Sequence, residues 1–181
     1  VQSALVNLED VDALVEAGAV ELLSSPPFLA SESANVRKYA VSVLALLATS
    51  LKGQVAMLCG GAAASAAVAA ADGGATLGRV AAAAGADAGG GGGAMMRVAA
   101  LLRDGMPAVV AMAASCLHKV STLVIGAQAI VSAGLHTGLA ALLLAPPSDD
   151  LLLRTHLAST LLQVYRLCPR APRPKGVEAS V

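Results

Sequence analysis

Cys116 and His118 stand two positions apart, close enough to begin a metal site, and His136 and His156 follow further along the chain. A structural zinc site is tetrahedral and draws its four ligands mostly as two close pairs. No second pair lies near Cys116 and His118, so the histidines read as core or surface residues, and no metal or other cofactor is expected. The run Gly89–Gly93 offers the glycines of a phosphate loop, but no strand pattern leads into it, and low complexity explains it better. A GxSxG nucleophile elbow is absent from the sequence. Asp149 and Asp150 sit where they would oppose a helix dipole rather than form an acid–base pair. Arg166, Pro169 and Pro172 fit the spacing of a polyproline II ligand, yet Arg166 continues a helical pattern, which leaves a plain basic tail. These residues give no reason to expect an enzyme.

The elements that would position any site come from an apolar chain poor in large side chains. Of 181 residues, 56% are apolar and 13% charged, with one Phe, two Tyr and no Trp. Much of the apolar content is Ala, which buries little area but lets helices approach closely. The formal net charge is zero, which argues against a general nucleic-acid binder. The charges are segregated nonetheless. Residues 1–32 carry Glu9, Asp10, Asp12, Glu16, Glu21 and Glu32 without a Lys or Arg, whereas 166–175 carry Arg166, Arg170, Arg173 and Lys175 without an acid. Each cluster reads first as a solvated surface, and the acidic one secondarily as a docking face. Cys59, Cys116 and Cys168 are odd in number and widely spaced, which points to buried thiols in a reducing compartment rather than a disulfide framework. The first residue is not Met and the pattern opens mid-phrase, as in a fragment.

One phrase recurs. Gly18, Gly61 and Gly134 each follow a short apolar segment, VDALVEAG, GQVAMLCGG and GAQAIVSAG, at offsets of 43 and 73 residues. A Gly here suits a left-handed residue that ends one helix and starts another. The longer segments AVSVLALLATSLKGQ and AASCLHKVSTLVIGA repeat at the same offset of 73. Val36, Ala40, Val43, Leu44 and Leu47 form the stripe of one buried helix face, and Leu153, Leu157, Leu161, Val164 and Cys168 form another. Arg37, Lys38, Ser42 and Thr49 lie away from it. Asn35, Ser148 and Pro107 are the expected helix starts. Each unit reads as short helix, Gly turn, second helix, variable loop and long third helix. The expected units are a partial one at 1–8, then 11–50, 51–122 and 124–168. A disordered Gly/Ala-rich insertion at 73–93 interrupts the third, an extra helix is expected at 94–104, and a flexible basic Pro-rich tail covers 169–181.

EAGAVELLSS (Glu16–Ser25), VRKYAVSVLALLA (Val36–Ala48) and VSAGLHTGLAALL (Val131–Leu143) resemble the armadillo repeat family. The resemblance implies an all-α, right-handed α-solenoid of three-helix repeats. It also implies work as a non-enzymatic scaffold or adaptor, holding a protein or extended peptide in a concave groove lined by third helices. In the nuclear-cargo carriers of that family, third helices present Trp and, four residues on, Asn. The matching positions here are Ser3, Ser42, Ser115 and Ser159 for Trp, and Asn7, Leu46, Lys119 and Gln163 for Asn. The groove is therefore not importin-like. A Ser row beside a partly polar row could hydrogen-bond a peptide backbone, because residues four apart share a helix face. The same small Ser residues would also permit close helix packing, and the sequence leaves both readings open.

Two rival functions remain at this level. Some short armadillo-like proteins are nucleotide-exchange factors for heat-shock chaperones. A helical membrane protein is the other, because Val120–Ala145 has no Asp, Glu, Lys or Arg and is long enough to span a bilayer. Its Gly126, Gln128, Gly134, His136 and Gly138 favour two short buried helices instead. The expected location is cytoplasmic, with nuclear or ciliary placement as alternatives.

Overall fold

A computed structural model of the chain describes residues 7–59, 93–145 and 150–173. The helices are α1 (Leu8–Glu16), α2 (Ala19–Ser24), α3 (Pro26–Leu29), α4 (Ala34–Leu47), α5 (Leu51–Cys59), α6 (Ala94–Ala100), α7 (Pro107–Ser121), α8 (Val124–Ser132), α9 (Leu135–Leu144) and α10 (Leu151–Leu167), with a 3₁₀ turn at Leu101–Arg103. No strand occurs among the described residues. Ser3 and Gly61, and all but Gly93 of the Gly/Ala-rich insertion, lie outside them, as do residues 174–181 of the tail.

Local chemistry sets the helix ends. Asn7 caps α1, its Oδ1 accepting the Glu9 N–H at 3.2 Å, and Glu9 and Asp10 in the first turn complement the dipole. Gly18 and Gly134 take left-handed conformations, with φ of 83° and 68°, so each closes a first helix and opens a second. An L side chain there would cost about 1–2 kcal/mol. The PPFLASES loop contains the single turn α3, whose prolines occupy positions that need no N–H. Ser33, not Asn35, precedes α4, while Pro107 opens α7 as its missing donor favours. Ser148 is outside the described residues, and Asp150 caps α10 by accepting the Leu153 N–H at 2.9 Å.

The helices pack as three triplets: α1, α2 and α4; α5, α6 and α7; α8, α9 and α10. The long third helices touch in the order α4, α7, α10, and the first helices in the order α1, α5, α8. Helix α6, from the stretch expected to form an extra helix, lies against α2, α5 and α7. It thereby takes a second-helix place. Leu44, Leu47, Met57, Leu117, Ile130, Leu139 and Leu157 are fully buried between these layers. Each contributes about 1.5–3 kcal/mol relative to exposure.

Two members of the expected α4 stripe depart from it. Val36 and Val43 are each 38% exposed, while Ala40, Leu44 and Leu47 are buried. The matching residues of α7, Val109 and Cys116, are fully buried because α4 covers them, and no third helix precedes α4 among the described residues. The start of the expected tail also has structure. Ala171 is buried, its N–H donates to the Cys168 carbonyl, and Gln128, Val131, Ser132 and the segment Leu167–Pro172 line an open recess of about 440 Å³. Among the described residues no single helix is long and apolar enough to cross a membrane. Helices α8 and α9 pass by length and composition only as a pair bent by 84°.

Candidate functional site

Side-by-side packing of α4, α7 and α10 brings the Ser positions onto three neighbouring helices. Ser42, Ser115 and Ser159 are all half-buried, and so are Leu46, Lys119 and Gln163 one turn later. Neighbouring phases behave differently: Leu44, Leu117 and Leu161 are buried in all three helices. The Ser phase and the phase four residues on are therefore both partly open in each of the three helices. The Ser42 hydroxyl donates to the Lys38 carbonyl at 2.8 Å, so its proton is engaged within α4 while its oxygen retains acceptor capacity.

Asn7 does not extend this row. Capping α1 requires it at the edge of the first-helix layer, and Leu8, expected to end a third helix, is already the first residue of α1. The row among the described residues is thus Ser42–Leu46, Ser115–Lys119 and Ser159–Gln163.

Lys119 is the cation of the row. Burial pushes its ammonium below the ordinary lysine range, against a smaller opposing effect from Cys116. Two histidines flank the same seam between α7 and α10: His118 and His156 have ring centroids 6.0 Å apart and planes inclined by 36°. Burial lowers the pKa of His118, and His156 and Lys119 lower it further. Burial and then Lys119 lower that of His156, with Asp150 opposing. Two neutral imidazoles beside one ammonium can accept or donate hydrogen bonds to a peptide without adding charge. Sequence reasoning separated His118 from His156, and only the 44-residue offset between α7 and α10 could have hinted at their encounter.

Cys116 and His136 are sequestered, and Cys168 is half-buried. Burial pushes the Cys116 thiol up to about 12, which removes the thiolate that nucleophilic or metal chemistry needs. Burial also raises Cys168. His136 is buried at the phase that Val20 fills in the first triplet, a core position. Among the described residues no group of three or more His, Cys, Asp or Glu side chains is placed to hold a metal ion.

No protein-family model matches the chain, and no curated protein sequence matches it. Among solved structures, an engineered protein is similar at 24% identity, covering 88% of this chain and 67% of its own length, with a TM-score of 0.42. The functional reading therefore rests on the geometry of the chain itself.

Proposed function

We propose that this protein is a non-enzymatic, armadillo-like scaffold, a right-handed α-solenoid that holds an extended segment of a partner protein across its third helices. The observation that supports this reading is the common half-burial of Ser42, Ser115 and Ser159, and of Leu46, Lys119 and Gln163, on three helices packed in order. Polar groups repeated at one phase suit a repeating ligand, and an extended backbone is such a ligand. Hydroxyl and amide groups would bond its N–H and C=O groups, Leu46 would meet an apolar side chain, and Lys119 would favour an acidic one. A prebuilt helix stack loses little conformational freedom on binding, so modest contacts suffice.

The test is selection of peptides from a displayed random library on the purified chain. Binders should be enriched, and their affinity should fall at least tenfold for Lys119→Glu and for Ser115→Trp, with melting temperature held within two or three degrees, about the shift of a sub-kcal/mol change. Unchanged binding together with a large loss of stability would assign the Ser row to helix packing and overturn the reading.

A further inference from the structure

The two ends of the helix stack carry complementary open faces. On α4, Val36, Tyr39 and Val43 are exposed, Tyr39 at 64%. Their counterparts on α7 are Val109 and Cys116, fully buried, and Met112, half-buried against the core. At the other end Ala158 is exposed and Leu162 is 70% exposed on α10. The α4 residues at those two phases, Val41 and Ala45, are buried. The first set is thus covered on α7, where α4 precedes, and the second on α4, where α7 follows; at the α7–α10 seam the matching Ala114 and Thr160 are buried and His118, Leu153 and His156 half-buried. Among the described residues, each open end is the unfilled half of an interface that α4, α7 and α10 already make twice.

Charge follows the same polarity. Within the stack, Lys52 of α5 reaches back to Asp12 and Glu16 of α1, at 3.7 and 2.5 Å. Glu9 holds the corresponding place on α1, and with Asp10 it makes no ion pair among the described residues. Gln128 and Ser132 of α8 correspond to Val55 and Cys59 of α5 and to Asp12 and Glu16 of α1, and they line the recess that Arg170 also lines. The end that Glu9 would face is therefore basic, with exposed Arg166, Arg170 and Arg173 beside it.

We propose that copies of this chain associate head to tail, the exposed face of α10 in one copy packing on the exposed face of α4 in the next. Leu162 and Ala158 meet Val36, Tyr39 and Val43, and Glu9 and Asp10 meet the arginines that follow α10. This contact is heterologous, so it does not close at two copies. The contact borders the Ser row, since Tyr39 lies one turn before Ser42 on α4 and Leu162 one turn after Ser159 on α10.

Sedimentation equilibrium of the full chain over a wide concentration range tests this. The weight-average mass should climb past twice the monomer mass without a plateau, and raised salt should shift the climb to higher concentration by screening the charged ends. Tyr39→Glu and Leu162→Glu each block one end at an exposed position, and each alone should remain monomeric with an unchanged circular dichroism spectrum. An equimolar mixture of the two retains one good end on each partner, so it should give dimers and nothing larger. A wild-type chain that stays monomeric, variants that associate as the wild type does, or a mixture that remains monomeric would each overturn the proposal.

Discussion

Arg37 on α4 and Asp104, just ahead of α7, form a two-pronged ion pair between consecutive triplets: Nε to Oδ2 at 2.6 Å and Nη2 to Oδ1 at 3.0 Å. The remaining Nη1 of Arg37 donates to the Ser31 and Glu32 carbonyls, and Asp104 also accepts the Met106 N–H. One guanidinium thus ties the loop before α4 to the loop before α7. The Arg37 guanidinium, helped by the Met106 N–H, holds the Asp104 carboxyl below the usual carboxylate range against the opposing effect of burial. A depressed carboxylate pKa adds stability that is present above the unfolded value, about 3.9, and is lost as pH falls through the folded one. Asp104→Asn should lower the melting temperature at pH 7 by several degrees and flatten its acid dependence below pH 4, as read by thermal denaturation across pH. Equal melting curves for variant and wild type would show that the pair contributes nothing.

Gly53 and Gly126, at corresponding places on α5 and α8, make a contact that does repeat. A Cβ at Gly53 would overlap the carbonyl oxygen of Leu47, and one at Gly126 that of Val120. Each Gly lets a first helix lie directly on the last turn of the third helix before it. Gly53→Ala or Gly126→Ala should each cost about 2–4 kcal/mol, above the usual overpacking range because the obstacle is backbone. Gly138 in α9 has nothing within 4 Å of the added methyl. Gly138→Ala should therefore stabilise by about 0.5–1 kcal/mol through helix propensity alone. Urea unfolding of the three variants separates these signs.

These contacts show where sequence reading reaches and where it stops. The left-handed turns at Gly18 and Gly134 are legible because one residue type serves one backbone conformation. The helical stripes are legible because burial imposes a period, yet Val36 and Val43 escape it: the period marks a face that can be covered, not whether something covers it. Ser33 rather than Asn35 starts α4, since both are good caps and only packing chooses between them. Arg37 read as a solvated residue because its partner lies 67 positions away and no local pattern encodes that distance. That Ser42, Ser115 and Ser159 fall on three long helices packed in order was legible through the resemblance that aligned those helices; Asn7 was not, because it caps α1. The histidine pair was not, because neither His has a counterpart at its phase on the other third helices.

That pair makes the α7–α10 seam sensitive to acid. Both His118 and His156 have depressed pKa values, chiefly through burial, so the unfolded chain takes up protons first. Their contribution to stability is intact above about pH 6.5, the ordinary histidine value, and is lost as pH falls from there through the folded values. The melting temperature should drop by a few degrees between pH 7 and pH 5. His156→Met, which copies Met112 of α7, should remove most of that drop. A variant that loses stability with acid as steeply as the wild type would show that other groups set the slope.

Lys119 supplies a separate handle on the same pair. It lowers the pKa of both histidines through its charge, second to burial for His156 and third in order for His118. Lys119→Gln keeps a long polar side chain at the half-buried site and removes the charge, so both imidazoles should titrate at higher pH in NMR spectra of their ring protons. Neither should reach the unperturbed value, because burial remains the main cause of the depression. Titration curves that coincide with those of the wild type would place the Lys119 ammonium, the cation of the Ser row, away from the seam.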